Sequence, residues 1–498
     1  MIRIDSQYSI KKNTVLLIIQ SVILLITGLF TTRLLIAKLG VDAFGTYTLF
    51  ASISLAFTIF SASSSIAIQR YVSRSLKDSR LDLNEILFSA ICIQAIIIFL
   101  ILLFGFIFNA YVFHAFFDNE IISQKQFILI LAFFLLQFCL KVILVPFDAL
   151  LFSQQKIVPI AIFNVVEGCL KLAALFFVSD DSSGNQLQQL SFLYLVVVIS
   201  TVTLRIIAAV KIEAINIRQL FRKYNGALFV DMLKFSMWSN AGVIGGVLGN
   251  YGPIFLASHY FGAEINAAQG LNGQVTSQTA ILSNQFLKNA NPKILKDRGN
   301  AFLYYSNLSF ILTIPLAFFV FFHIDSLLNI WLTEVPGSTI IIIRCTLIAV
   351  VSNQIMSPFH TAIRRKGTVK LLEISNLILL ALPILISYFI YSQFNQKIEI
   401  MYIVIVIGNL IRLMYCFWLI VAHGLCTISD LIESQKFVLF SLSIYAVIFT
   451  LFERVFDGLL TSIVELFVSG WLALILAVIF WKYLIKKYET GKTILDIK

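Results

Sequence analysis

Long apolar runs recur from one end of the chain to the other, separated by short polar or basic stretches. A helix that crosses a bilayer needs about 20 mostly apolar residues. Fourteen stretches reach that length: roughly 14–38, 46–68, 84–109, 126–150, 155–178, 190–212, 232–258, 264–287, 301–323, 338–362, 368–391, 398–422, 434–452 and 459–481. The pattern predicts an all-α integral membrane protein of about fourteen transmembrane helices. The first stretch is longer than the 7–15 residue apolar segment of a signal peptide and lacks a clear small-residue cleavage site, so it is expected to be the first span. The second and eighth stretches stand apart, because both are rich in Ser, Thr, Asn and Gln.

Composition agrees. Hydrophobic residues make up 59% of the 498 positions and charged residues 13%. A soluble domain carries about 25% charged residues, so a soluble multidomain enzyme is excluded. The net charge of +11 would suggest nucleic acid in a soluble protein, but here its distribution matters more. With the amino terminus placed in the cytoplasm, 26 of the 37 Lys and Arg fall in cytoplasmic segments, including Arg70, Arg74, Lys77 and Arg80, and four fall opposite: Lys38, Lys125, Lys397 and Arg454. The asymmetry predicts fourteen spans with both termini cytoplasmic, and no nucleic-acid partner. The short loops leave no space for an extramembrane catalytic domain. Six scattered cysteines show neither metal-ligand spacing nor paired loop positions, and five histidines show no ligand spacing, so neither a metal nor a cofactor is expected.

Gly40 and Gly262 head two similar segments. Leu39-Gly40 aligns with Phe261-Gly262, then Ser52 with Gln274, Ser54 with Thr276, Ser61 with Ser283, and Gln69 with Asn291. Each copy places a polar helix after the turn and a basic loop after that helix. The repeat predicts two six-helix lobes in the same orientation, residues 1–230 and 231–430, followed by a helix pair and cytoplasmic tail over 431–498.

Seven cations remain inside spans: Arg33, Lys141, Lys171, Arg205, Lys234, Arg344 and Arg412. Arg33, Lys234 and Arg344 lie close enough to helix ends to snorkel. A deep cation costs about 2.5–3.5 kcal/mol on insertion scales, so the others should face water or a partner rather than lipid. Glu167 and Lys171 share a helix face at i,i+4. Lys141 and Asp148 lie two turns apart on roughly one face, with Pro146 between them, and Glu373 reads as a third embedded acid. The excess of cations predicts an electropositive cavity lined by Arg33, Lys141, Lys171, Arg205 and Arg412. Asp148, Glu167 and Glu373 are the candidate ion-coupling groups. Ser54 and Ser61 in the second span, with Gln274, Gln278 and Gln285 in the eighth, are expected to line the same cavity, because amides at that density tolerate lipid poorly. The glycines of the seventh span (Gly242, Gly245, Gly246, Gly249 and Gly252) predict close helix packing. Gly491-Lys492-Thr493 resembles the end of a phosphate-binding loop, but Lys486 stands where the first glycine is required. An ATP-driven pump is disfavoured, and no catalytic motif is present.

The stretch Arg33-Leu34-Leu35-Ile36-Ala37-Lys38-Leu39-Gly40, continuing through Phe44-Gly45-Thr46-Tyr47 to Arg70, resembles the polysaccharide-exporter branch of the multidrug/oligosaccharidyl-lipid/polysaccharide (MOP) flippases, which includes the Wzx-type O-antigen flippases. The resemblance implies translocation of an undecaprenyl-diphosphate-linked oligosaccharide across the bacterial cytoplasmic membrane by alternating access. It also implies work beside polysaccharide polymerase and chain-length regulator proteins. A diphosphate attracts Arg and Lys, and sugar hydroxyls match the amides and hydroxyls of the second and eighth spans. Three alternatives stand: a lipid-II flippase, a multidrug/cation antiporter, whose cationic drugs would favour an acidic cavity, and a membrane polymerase or ligase, which the short outer loops disfavour.

Overall fold

The computed structural model describes residues 3–56, 58–75, 82–116, 122–154, 156–179, 182–213, 225–296, 301–365, 369–394, 397–456 and 462–495. Among them there is no β-strand, and fifteen α-helices follow one another. These are α1 (Arg3–Ala56), α2 (Thr58–Ser75), α3 (Leu83–Phe116), α4 (Gln124–Ser153), α5 (Val158–Ala174), α6 (Ser183–Ile212), α7 (Gly226–Phe261) and α8 (Ala263–Thr279). Then come α9 (Ile281–Lys296), α10 (Ala301–Trp331), α11 (Thr339–Arg365), α12 (Val369–Gln393), α13 (Ile398–Ala422), α14 (Ile428–Phe456) and α15 (Ser462–Leu495). The all-α class is as the sequence predicts.

Local signals set several ends. Ser123 opens α4 with a reciprocal capping box to Gln126, satisfying two otherwise orphaned donors. Asn225 caps α7 by accepting from the Leu228 amide at 3.2 Å. Pro159 sits in the first turn of α5, where its missing N–H costs nothing.

Among the described residues, ten helices are long and apolar enough to cross a membrane by length and composition, and Val464–Phe480 is a shorter apolar segment. Several of the predicted spans fall differently on the helices. Two predicted spans run together in α1, which bends at Gly40 (φ 78°). Of the two polar spans, the eighth is made of two pieces. It runs from α8, ending at Thr279, into α9 from Ile281. The aligned glycines share a backbone feature: Gly262, aligned with Gly40, has φ 80° and closes α7. Left-handed φ at both turns suits glycine, which has no Cβ to clash.

The chain forms two compact units, Met1–Gly270 and Leu271–Lys498. In the first, Ile68, Val72, Ile86, Ala90, Ala149, Leu150 and Met232 form a buried cluster from α2, α3, α4 and α7. Gly45 of α1 lies so near α8 that a Cβ there would overlap the Ala263 carbonyl, and a Cβ at Gly270 would meet the Thr48 side chain. The core of the second unit is aromatic: Phe302, Phe310, Phe359, Tyr445, Phe449 and Phe480 belong to one cluster, so α14 and α15 pack into it rather than standing off. Phe99, Phe106, Phe389, Met414, Trp418 and Phe467 are exposed by more than half. A bilayer explains an apolar surface of that extent, which water would not tolerate.

Candidate functional site

In the first unit the deep charges form two ion-pair groups on α4, α5 and α6. Glu167 Oε1 lies 2.9 Å from Lys141 Nζ and 2.7 Å from Lys171 Nζ, so one carboxylate serves two ammonium groups. The i,i+4 pair read from the sequence is formed, and Lys171 also lies 5.6 Å from the centre of the Tyr194 ring. The Lys141 side chain is 46% exposed, against 24% for Lys171. The expected Lys141–Asp148 partnership is not formed. Asp148 Oδ2 instead accepts from Arg205 Nη2 at 2.8 Å, and Arg205 Nη1 donates to Asn164 Oδ1 at 2.8 Å. Arg205 on α6 is nearer and more buried than Lys141, so it takes the carboxylate; Lys141 turns to α5. Asp148 Oδ1 and Arg205 Nε are buried without a partner among the described residues.

The second unit is built differently. Gly408 lacks a side chain where the Pro383 ring packs, which lets α13 close on α12. One turn on, Arg412 Nη2 donates to Asn409 Oδ1 at 3.1 Å and, in a very short contact, to Asn353 Oδ1 of α11. No carboxylate pairs with Arg412 among the described residues, and its Nε is buried without an acceptor. The adjacent Gln354 ties three helices together. Its Oε1 accepts from Ser283 Oγ at 2.7 Å and its Nε2 donates to Asn284 Oδ1 at 3.0 Å, while Ser309 Oγ lies 2.5 Å from Ser283 Oγ. Gly273, Ser277 and Asn284 are exposed at helical spacing along α8 and α9, and Asn353 is exposed as well. Asn272 Oδ1 and Gln278 Oε1 are buried acceptors with no donor among the described residues.

The remaining candidates scatter. Arg33 is exposed on α1, Ser54 Oγ is buried without a partner among the described residues, and Gln274 is partly buried. The Ser61 and Gln285 side chains lie outside the described residues. Glu373 is not embedded at mid-span: it sits in the second turn of α12, where it accepts from Arg364 Nε at 3.0 Å and Nη2 at 2.7 Å. Arg344 does lie near a helix end, bonded to Asp325 at 2.8 Å. Charge counting passed over the amides Asn164, Asn353, Gln354 and Asn409, although an amide inside an apolar span carries the same signal as a charge. The second unit also holds an apolar cavity of about 640 Å³ lined by Phe318, Leu347, Val351, Leu410, Phe417 and Leu442.

The same fold recurs in solved transporters. The chain superposes on an inward-facing multidrug resistance MATE transporter of the MOP superfamily with a TM-score of 0.67 and 12% identity, covering 80% of this chain and 95% of that one. The fold is that of the MOP transporters. The lipid II flippase MurJ in an inward closed conformation gives a TM-score of 0.66 at 15% identity, over 95% of this chain and all of that one. A MOP transporter from Pyrococcus furiosus, described by the reversed polarity of its binding pocket, gives 0.53 at 13% identity over 82% and 94% of the two chains. No protein family and no curated protein matches the chain. These structural neighbours are described as transporters or flippases rather than as enzymes.

Proposed function

We propose that the chain is a flippase carrying an undecaprenyl-diphosphate-linked oligosaccharide across the bacterial cytoplasmic membrane, with both termini in the cytoplasm. The observation that carries this reading is the charge left over at depth. In the first unit Lys141, Lys171 and Arg205 face Glu167 and Asp148, leaving one positive charge, and in the second Arg412 stands without a carboxylate. Intramembrane cations in excess of acids suit an anionic group, and a phosphate accepts from Arg and Lys in charge-assisted bonds. Exposed Ser277, Asn284 and Asn353 offer polar contacts, and the orphaned acceptors of Asn272 and Gln278 match hydroxyl donors such as those of a sugar. The apolar cavity of the second unit suits a hydrocarbon chain. A multidrug/cation antiporter would gain nothing from this surplus of positive charge.

A lipid-II flippase is the second reading, favoured by the coverage of MurJ over its whole length. In either case alternating access is the expected mechanism, with Asp148 and Glu167 the candidates for ion coupling. Deletion of the gene followed by sidedness analysis of lipid-linked oligosaccharide tests the proposal. Accumulation confined to the inner leaflet is expected; an unchanged distribution overturns it. A block in lipid II rather than surface glycan selects the second reading.

A further inference from the structure

Arg205 and Arg412 occupy corresponding helices of the two six-helix sets, the sixth and twelfth predicted spans, and each reaches back to the fourth helix of its own set. The side chain that receives it differs. Asp148 takes Arg205, whereas Asn353 takes Arg412. An amide oxygen orients a guanidinium without cancelling its charge, so the two sites have the same outline and opposite electrostatic outcomes.

Arg412 is poised for more than it holds. A guanidinium carries five N–H donors, and the described bonds of Arg412 all leave from Nη2. Nε is buried with no acceptor, and Nη1 has no partner among the described residues. The two N–H groups of Nη1 are therefore free to donate to a phosphate oxygen in charge-assisted bonds. Asn353, which holds the other side of the guanidinium, is exposed, so the charge lies one side chain behind an open surface. Two turns along α11 the buried His360 Nε2 also lacks a partner among the described residues. Gly408 and Pro383 fix the α12–α13 spacing beneath the site, so its geometry comes from packing rather than from the ligand.

We infer that Arg412, held by Asn353 and Asn409, is the seat for a phosphate group of the substrate, and that the amide at position 353 is the feature that keeps this seat cationic. The inference rests on the anionic-lipid transporter reading and assigns its headgroup contact to one arginine. A phosphate ester is shared by the diphosphate of a polyprenyl carrier and the headgroup of an ordinary phospholipid, so the test separates them.

The full chain is reconstituted in phosphatidylcholine nanodiscs and titrated with farnesyl diphosphate, with and without phosphatidylglycerol in the disc. Asn353→Asp, nearly isosteric, should close the site into an ion pair like that of Arg205 and weaken binding at least tenfold, as should Arg412→Gln. Arg344→Gln, which removes one charge elsewhere, should bind as the unaltered protein does. Unaltered affinity in both Asn353→Asp and Arg412→Gln overturns the assignment while leaving the transporter reading in place. Loss of diphosphate binding to equimolar phosphatidylglycerol overturns the substrate assignment in favour of a headgroup seat. Absence of farnesyl diphosphate binding by the unaltered protein overturns the anionic-substrate reading itself.

Discussion

Arg205 and Arg412 reach across similar distances in sequence to similar places, and they solve the problem of a cation in a membrane helix in opposite ways. Arg205 lies seven residues from the end of α6, about 10 Å along the axis, and is closed by a carboxylate and an amide. Arg412 lies ten residues from the nearer end of α13, about 15 Å in, and is closed by two amides. The deeper cation is the less compensated one. Stability alone would favour the reverse, because removal from water is harder to offset at depth without an opposing charge. A protein that keeps its uncompensated charge where it is most costly holds a group shaped by a task rather than by packing.

The largest test of this contrast is Asp148→Asn. It leaves Arg205 as uncompensated as Arg412, and breaking a buried pair from one side costs about 3–5 kcal/mol. Unfolding in detergent should show a loss of that order, with Arg205→Gln in the same chain recovering most of it. A loss below about 1 kcal/mol would break the comparison. Next comes Glu167→Gln, which strips two lysines of their shared carboxylate. Lys141 is half-exposed and can turn to water, so about 2 kcal/mol is expected, the scale of a hydrogen bond to a charged group. Asn353→Ala should cost about 1 kcal/mol of stability, because only an amide contact is lost. Its effect on diphosphate binding should exceed its effect on folding, which sharpens the distinction between site and scaffold. Smallest is Arg344→Gln: the Arg344–Asp325 pair is 35% and 50% exposed, and such pairs contribute about 0.2–1 kcal/mol in thermal unfolding.

Much of the architecture was legible because bilayer thickness writes itself into sequence length. The apolar runs, the glycine turns at 40 and 262 and the Glu167–Lys171 pair all depend on spacing within one helix or one short segment. The partners of the arginines were not legible. Asp148 and Arg205 are 57 residues apart, and Asn353 and Arg412 are 59, so their meeting depends on how α4 packs on α6 and α11 on α13. Reading Lys141 with Asp148 followed the local rule and missed the closer neighbour across the helix. Asn353-Gln354 gave a usable signal, two adjacent amides inside an apolar run. Attention to formal charge alone hid it.

Gly45 against the Ala263 carbonyl has a consequence for motion. Where two helices touch through side chains, rotamers can yield by degrees as the helices shift. Here backbone rests on backbone, and no flexible atoms lie between to absorb a small displacement. Packed contacts of that kind tend to have discrete arrangements rather than a continuum. The crossing of α1 and α8 should behave as a latch, either fully seated or fully parted, and a methyl group at position 45 would hold it ajar.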